Sequence, residues 1–221
     1  MARKTNASNL EGRDGNVVYY QSYGKQCVRT VAQHIKNPRT PAQQLQRAKF
    51  SAVTQWLQPI RDAIRIGYAD GNKGYHFGRA VKELLKNAIV TEGDEPRLEA
   101  SLAKVAVGEL ATMENAECLP NNGQQPSPVT HHPSSITIKW TPNKKSVRSH
   151  IDDQMVWLLY DEGNRHAITN AMQALKPKRN SGTCLIDLSN AKAGTYHLYA
   201  FFTNNKMTHS SDSVYLGEVT I

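Results

Sequence analysis

Met155-Val156-Trp157-Leu158-Leu159-Tyr160 is a continuous apolar run of the kind that a central β-strand carries, because a strand with one wet face would alternate instead. Working outward, Ile136, Ile138 and Trp140 alternate with polar residues until Thr141-Pro142-Asn143 ends the pattern. Residues 184–188, 196–202 and 214–219 are further β-rich runs, each bounded by turn signals. Short strands at this spacing predict an antiparallel sandwich over residues 134–221. Residues 120–133, with four prolines and two asparagines, predict a linker or long loop in front of it.

The front half reads differently. Residues 1–16 hold Gly12, Gly15 and Asn16 among mixed charges without periodicity, which predicts a basic N-terminal arm. Two β-rich runs at 17–23 and 26–31 flank Gly24-Lys25, which predicts a hairpin with glycine at the first central position of a primed turn. A two-stranded hairpin is marginal alone and must pack on something or pair with a partner.

Then come Asn37-Pro38-Arg39-Thr40-Pro41-Ala42-Gln43. Thr40 suits an N-cap, Pro41 a first helical residue, and Gln43 completes a capping box. From there Leu45, Ala48, Ala52, Val53, Trp56, Leu57, Ile60 and Ile64 recur at helical spacing, opposite a polar stripe containing Arg47, Arg61 and Arg65. Pro59 predicts a kink or break. A second amphipathic helix carries Phe77, Ala80, Val81, Leu84, Leu85, Ala88 and Ile89 inward and Arg79, Lys82 and Lys86 outward. After Glu92-Gly93-Asp94-Glu95-Pro96, a period-two alternation predicts a strand across residues 98–108. The expected class is α+β: a hairpin and amphipathic helices over 17–119, then the sandwich over 134–221.

Charge is uneven along the 221 residues. Through Val90 there are 15 Lys and Arg against 5 Asp and Glu; from Thr91 onward the balance is 12 against 14. The front half should favour an acidic surface, whether nucleic acid, a partner protein or the back half itself. No stretch approaches the roughly 20 apolar residues of a membrane-spanning helix, so no membrane insertion is expected. The first residues lack the apolar run of a signal peptide, so synthesis in a cytoplasm is expected. Cys27, Cys118 and Cys184 are widely spaced and odd in number, which predicts reduced thiols rather than a metal site or disulfide framework.

Gly194-Thr195-Tyr196 resembles the tyrosine corner of immunoglobulin-like and fibronectin-like domains, although the disulfide pair of antibody domains is missing. At the level of the whole chain, the matching residues begin with the hairpin from Gly15-Asn16-Val17-Val18 to Gly24-Lys25 and Val28-Arg29. They continue through the 37–43 segment with Arg47 and Phe50, Leu85-Lys86-Asn87-Ala88-Ile89, and the stretch from Ile138-Lys139-Trp140-Thr141 to Asp152-Asp153. Together they resemble the domain of unknown function 6266 family, proteins of Bacteroidetes and their phages and prophages. That resemblance implies no activity. It implies a context in which a virion component is a natural role.

Chemistry was sought among the polar residues. His131-His132 reads as solvated loop histidines, Asp152-Asp153 with His150 as a loop cap, and Asp161-Glu162-Gly163-Asn164 as a strand-ending turn without the oxygen spacing of a calcium loop. The phosphate-loop, nucleophile-elbow and zinc-protease motifs are missing. The expectation is therefore a non-enzyme with no cofactor and no metal site, acting in protein–protein contacts with itself and with other virion subunits at a phage neck or tail. The residues expected to carry those contacts are Tyr19, Tyr20, Tyr23, Arg29, Asn37, Arg39, Thr40, Gln43, Arg47, Arg61 and Arg65. Two alternatives stand beside it: a nucleic-acid binder using the basic helices with the tyrosines as a stacking platform, and an adhesin-like binder using the sandwich loops.

Overall fold

The computed structural model describes residues 3–6, 9–31, 39–69, 75–92, 95–121, 134–143 and 147–221, and the chain divides into two units, Met1–Thr40 and Pro41–Ile221. In the first, β1 (Arg3–Asn6), β2 (Asn9–Asp14), β3 (Val17–Ser22) and β4 (Lys25–Thr30) form one antiparallel sheet in that order. The stretch expected to be an arm is thus two strands, with β2 joined to β3 through the pairs Gly12↔Tyr19, Arg13↔Val18 and Asp14↔Val17. Its polar composition hides it, because period-two alternation marks a strand only where one face is buried. None of the described side chains of this sheet is buried.

The β3–β4 hairpin forms as expected, but one residue earlier in its turn. Ser22 pairs with Lys25, so Tyr23 and Gly24 are the turn residues, with φ of 52° and 74°. Positive φ at both positions defines a type I′ turn, where Asn-Gly is favoured and tyrosine is strained. Tyr23→Asn should stabilise the hairpin by about 0.5–1 kcal/mol, seen as slower amide exchange across residues 17–30; faster exchange would contradict the turn assignment.

In the second unit the helix begins at Pro41, as its sequence predicts, and α1 runs over Pro41–Leu57. Pro59 breaks it: a 3₁₀ turn (Gln58–Ile60) leads into α2 (Arg61–Gly67). Then come α3 (His76–Asn87) and a hairpin of β5 (Ile89–Glu92) with β6 (Glu95–Leu98). The remaining strands are β7 (Glu114–Asn121), β8 (Ser135–Thr141), β9 (Gln154–Asp161), β10 (His166–Thr169), β11 (Thr183–Asp187), β12 (Thr195–Thr203) and β13 (Val214–Thr220). They make two antiparallel sheets, β11-β8-β7 and β10-β9-β12-β13.

The placement of β9 explains its unbroken apolar run. Met155, Trp157 and Leu159 point into a core shared with Ile136, Ile138 and Trp140 of β8, Cys184 and Ile186 of β11, and Leu198, Ala200 and Phe202 of β12. Val156, Leu158 and Tyr160 point the other way, into a second core with Val53, Trp56 and Leu57 of α1, Ile64 of α2, and Ala80 and Leu84 of α3. The helices therefore cover the outer face of the four-stranded sheet, and strand alternation is suppressed because both faces are dry. Helices and the strands of the four-stranded sheet share one core, so they fall within one unit rather than parting at 120–133. The strands on either side of that segment, β7 and β8, pair with each other.

The strand expected over residues 98–108 is a correction. β6 ends at Leu98, a 3₁₀ turn spans Ala100–Leu102, and scattered bonds hold the rest, among them Val107 N donating to Gly67 O and Ser213 N to Ala106 O at 3.0 Å each. The Tyr199 hydroxyl donates to Ala100 O at 2.7 Å, and the Tyr68 hydroxyl to Lys104 O at 2.8 Å. Val105 N donates to Ser213 Oγ at 3.0 Å, and Gly108 N to Asp212 Oδ1 at 3.2 Å. Backbone groups need partners, and here side chains and isolated backbone groups supply them in place of a ladder. Gly67 ends α2 against this segment: a Cβ there would lie 2.4 Å from Val105 O, so only glycine permits the approach.

Candidate functional site

The expected contact residues fall on both units. On the first sheet, Tyr19 stands opposite Val28 and Tyr20 opposite Cys27. As neighbours in one strand, Tyr19 and Tyr20 project from opposite faces, so they do not form a shared stacking platform. Tyr23 sits in the turn, 65% exposed, and Arg29 is exposed on β4. Arg39 and Thr40 are also exposed, Arg39 with a φ of 48°. Asn37 lies outside the described residues, as do His131 and His132. Leu10, Tyr20 and Val28 leave apolar surface open on a sheet with no buried side chain among those described. Sheets of this kind are completed by packing against another surface.

On the second unit the first three turns of α1 contain no buried side chain; burial starts at Val53. Leu45 is half-buried while Ala48 is exposed, which corrects the inward stripe expected to begin at Leu45. Gln43 and Arg47 are exposed on this stretch, and Phe50 is 52% exposed beside them in sequence. The break at Pro59 places Arg47 on α1 and Arg61 and Arg65 on α2, so the basic stripe is not continuous. Arg61 and Arg65 remain one helical turn apart and exposed, Arg61 with its guanidinium 5.3 Å from the centre of the Phe77 ring. Arg79 does not face outward. Its guanidinium donates to Tyr68 O at 2.9 Å, where a cation suits the carbonyl end of α2. Lys82 and Lys86 are exposed as expected.

The acidic clusters are structural. Asp153 accepts from His150 N at 2.9 Å and from Arg179 Nε at 3.2 Å, and Asp152 pairs with Lys178 at 2.8 Å. Asp161 closes the β9–β10 turn by accepting from Asn164 N and Nδ2 at 3.1 and 2.6 Å. Burial opposes its charge, but these bonds hold its pKa below the usual carboxylate range. No group of three or more potential metal ligands occurs among the described residues. Cys184 is buried, and burial pushes its thiol up to about 11; Cys27 and Cys118 are half-buried, and all three are free. No helix is long and apolar enough to cross a membrane among the described residues.

One arrangement escaped sequence reasoning. Trp56 of α1, Arg97 and Leu98 of β6, Tyr160 of β9, and Glu162 and Arg165 of the β9–β10 loop line a cavity of about 310 Å³. Trp56 meets Tyr160 edge-on, with ring centroids 4.9 Å apart. Trp56 is 4% exposed, and its indole N–H, fully buried, has no acceptor among the described residues. In the sequence Trp56 sits on the apolar helical stripe and reads as plain core. Only the fold shows that its polar atom is unanswered.

The chain was compared with known proteins. A family of unknown function (DUF6266) matches over residues 9–217. No curated protein matches the chain.

Proposed function

The chain belongs to the DUF6266 family of unknown function, and from that premise we propose that it is a non-enzymatic assembly protein, one subunit of a larger particle such as a phage virion. The observation that carries this reading is the Met1–Thr40 sheet: four paired strands with no buried side chain among those described, and with Leu10, Tyr20 and Val28 open. A sheet whose described side chains are not buried gains stability from a neighbour, by face packing or by adding strands at its edges. The unpacked first turns of α1, with Gln43, Arg47 and Phe50, are the second docking element. Arg29, Arg39 and Arg47 then meet acidic groups of adjacent subunits. Phage context rests on the family resemblance, and the neck or tail position is part of the same proposal.

The strands of 114–220 support an immunoglobulin-like reading of the second unit. Seven antiparallel strands lie in two sheets, three and four strong, with a core between them. The Tyr196 hydroxyl donates back to Lys192 O at 3.0 Å, which is the bond a tyrosine corner makes. In this proposal the sandwich is the rigid body that carries the docking elements, and helices occupy the face that a free-standing sandwich would leave to solvent.

Light scattering after size exclusion, at two salt concentrations and over a dilution series, tests the self-association part. The expected result is a defined multiple of the 24.6 kDa chain mass that falls on dilution or when residues 1–40 are removed. A single 24.6 kDa species under every condition contradicts it. The nucleic-acid alternative predicts binding that weakens steeply with salt, in proportion to the phosphates contacted.

A further inference from the structure

The cavity beside Trp56 is lined by three donors whose partners are missing among the described residues, together with one carboxylate, Glu162. The Trp56 indole N–H is buried without an acceptor among the described residues. The Tyr160 hydroxyl has no hydrogen-bond partner among the described residues; burial, with Glu162 adding to it, raises its pKa to about 12, so it keeps its proton. The guanidinium of Arg165 has no ion pair among the described residues either. Arg97 is already engaged with Glu99 at 3.0 Å, and Glu162 lies 3.9 Å from His197 Nε2. Three unanswered donors favour a ligand that brings acceptors, and Arg165, without an ion pair among the described residues, suits one negative charge beside Glu162.

Arg165 adds a second, independent observation. Its φ is 50°, in the left-handed region where glycine or asparagine is the easy choice at the end of a hairpin loop. A long cationic side chain held in that conformation at the cavity mouth is a departure from the locally favoured residue. Such departures gather at binding sites.

We propose that this cavity binds a carboxylate carried on a short apolar stem: Trp56 and Tyr160 donate to the carboxylate, Leu98 and the two rings enclose the stem, and Arg165 supplies the opposite charge. The volume is at the lower end of the roughly 300–1,000 Å³ of ligand sites, which suits a group of this size. The carboxylate belongs to a free small acid or to a glutamate side chain of a peptide, and the chemistry is the same in both.

The test is a titration of the ¹⁵N-labelled full chain followed by its indole N–H signals, of which three tryptophans give three. The probes are phenylacetate, its neutral isostere phenylacetamide, and a capped tetrapeptide with one glutamate. The expected result is a saturable shift of the Trp56 signal with phenylacetate or the peptide at concentrations up to roughly 10 mM, where a millimolar site is largely filled. Phenylacetate acting alone assigns the site to a free acid, and the peptide acting alone to a side chain. Arg165→Gly should lower affinity by about tenfold by removing the charged partner. The same change should raise the melting temperature by about 2–4 °C, since glycine accepts the left-handed backbone. Trp56→Phe should abolish the responding signal while the other two remain. No saturable shift with either acid, or equal binding of phenylacetamide, overturns the proposal.

Discussion

Asp153→Ala should cost about 3–5 kcal/mol of folding stability, as expected when one member of a buried ion pair is removed. Arg179 is 1% exposed and Asp153 2%, and the pair joins four segments at one end of the sandwich. Arg179 Nε donates to Asp153 Oδ2 at 3.2 Å, while Nη1 donates to Ala111 O at 2.9 Å and to Asn143 Oδ1 at 3.0 Å. The guanidinium also lies 3.9 Å from the centre of the Phe202 ring. Burial works against its charge and pulls its pKa down, and Asp153 pushes back. Taking away the carboxylate leaves a buried cation with no counter-charge among the described residues. Replacing both residues, Asp153→Leu with Arg179→Met, should cost less than Asp153→Ala alone, because no charge is then stranded. Urea unfolding of the three proteins measures this. A loss under about 1 kcal/mol for Asp153→Ala would mean that the pair is solvated.

Leu158→Ala and Leu159→Ala should each cost about 2–5 kcal/mol, in one shared unfolding transition. The two leucines are adjacent, both fully buried, and face different cores: Leu158 the helices, Leu159 the opposite sheet. A sandwich standing apart from the helices would leave Leu158 on a wet face, where truncation costs little. Unequal costs, with Leu158→Ala near zero, would contradict the packing of helices on the four-stranded sheet.

Much of this fold was legible in the residues. Alternation at Ile136, Ile138 and Trp140 and the runs at 184–188, 196–202 and 214–219 fall in strands, and Pro41 and Pro59 mark a helix start and a break. What stayed hidden has physical reasons. The described side chains of β2 are all exposed, so no buried face marks that stretch off from an arm. The 99–110 stretch takes many of its hydrogen bonds from side chains and backbone far away in sequence, such as Asp212, Ser213 and Gly67, which no local window reveals. β9 signalled double burial through its missing alternation, but which element covers each face depends on long-range packing. The same is true of the contact residues: adjacency put Tyr19 and Tyr20 together in the sequence, and the pleat of the strand separates them.

The most direct test of the assembly reading is amide hydrogen exchange over residues 10–30 of the intact chain, measured across a wide dilution series. If the Met1–Thr40 sheet is completed by a neighbouring subunit, these amides should exchange fast in dilute solution and slow as subunits associate, while those of β9 and β12 stay protected throughout. Protection of residues 10–30 equal to that of β9 and β12 in a dilute monomer would show that the sheet needs no partner, and would contradict the account.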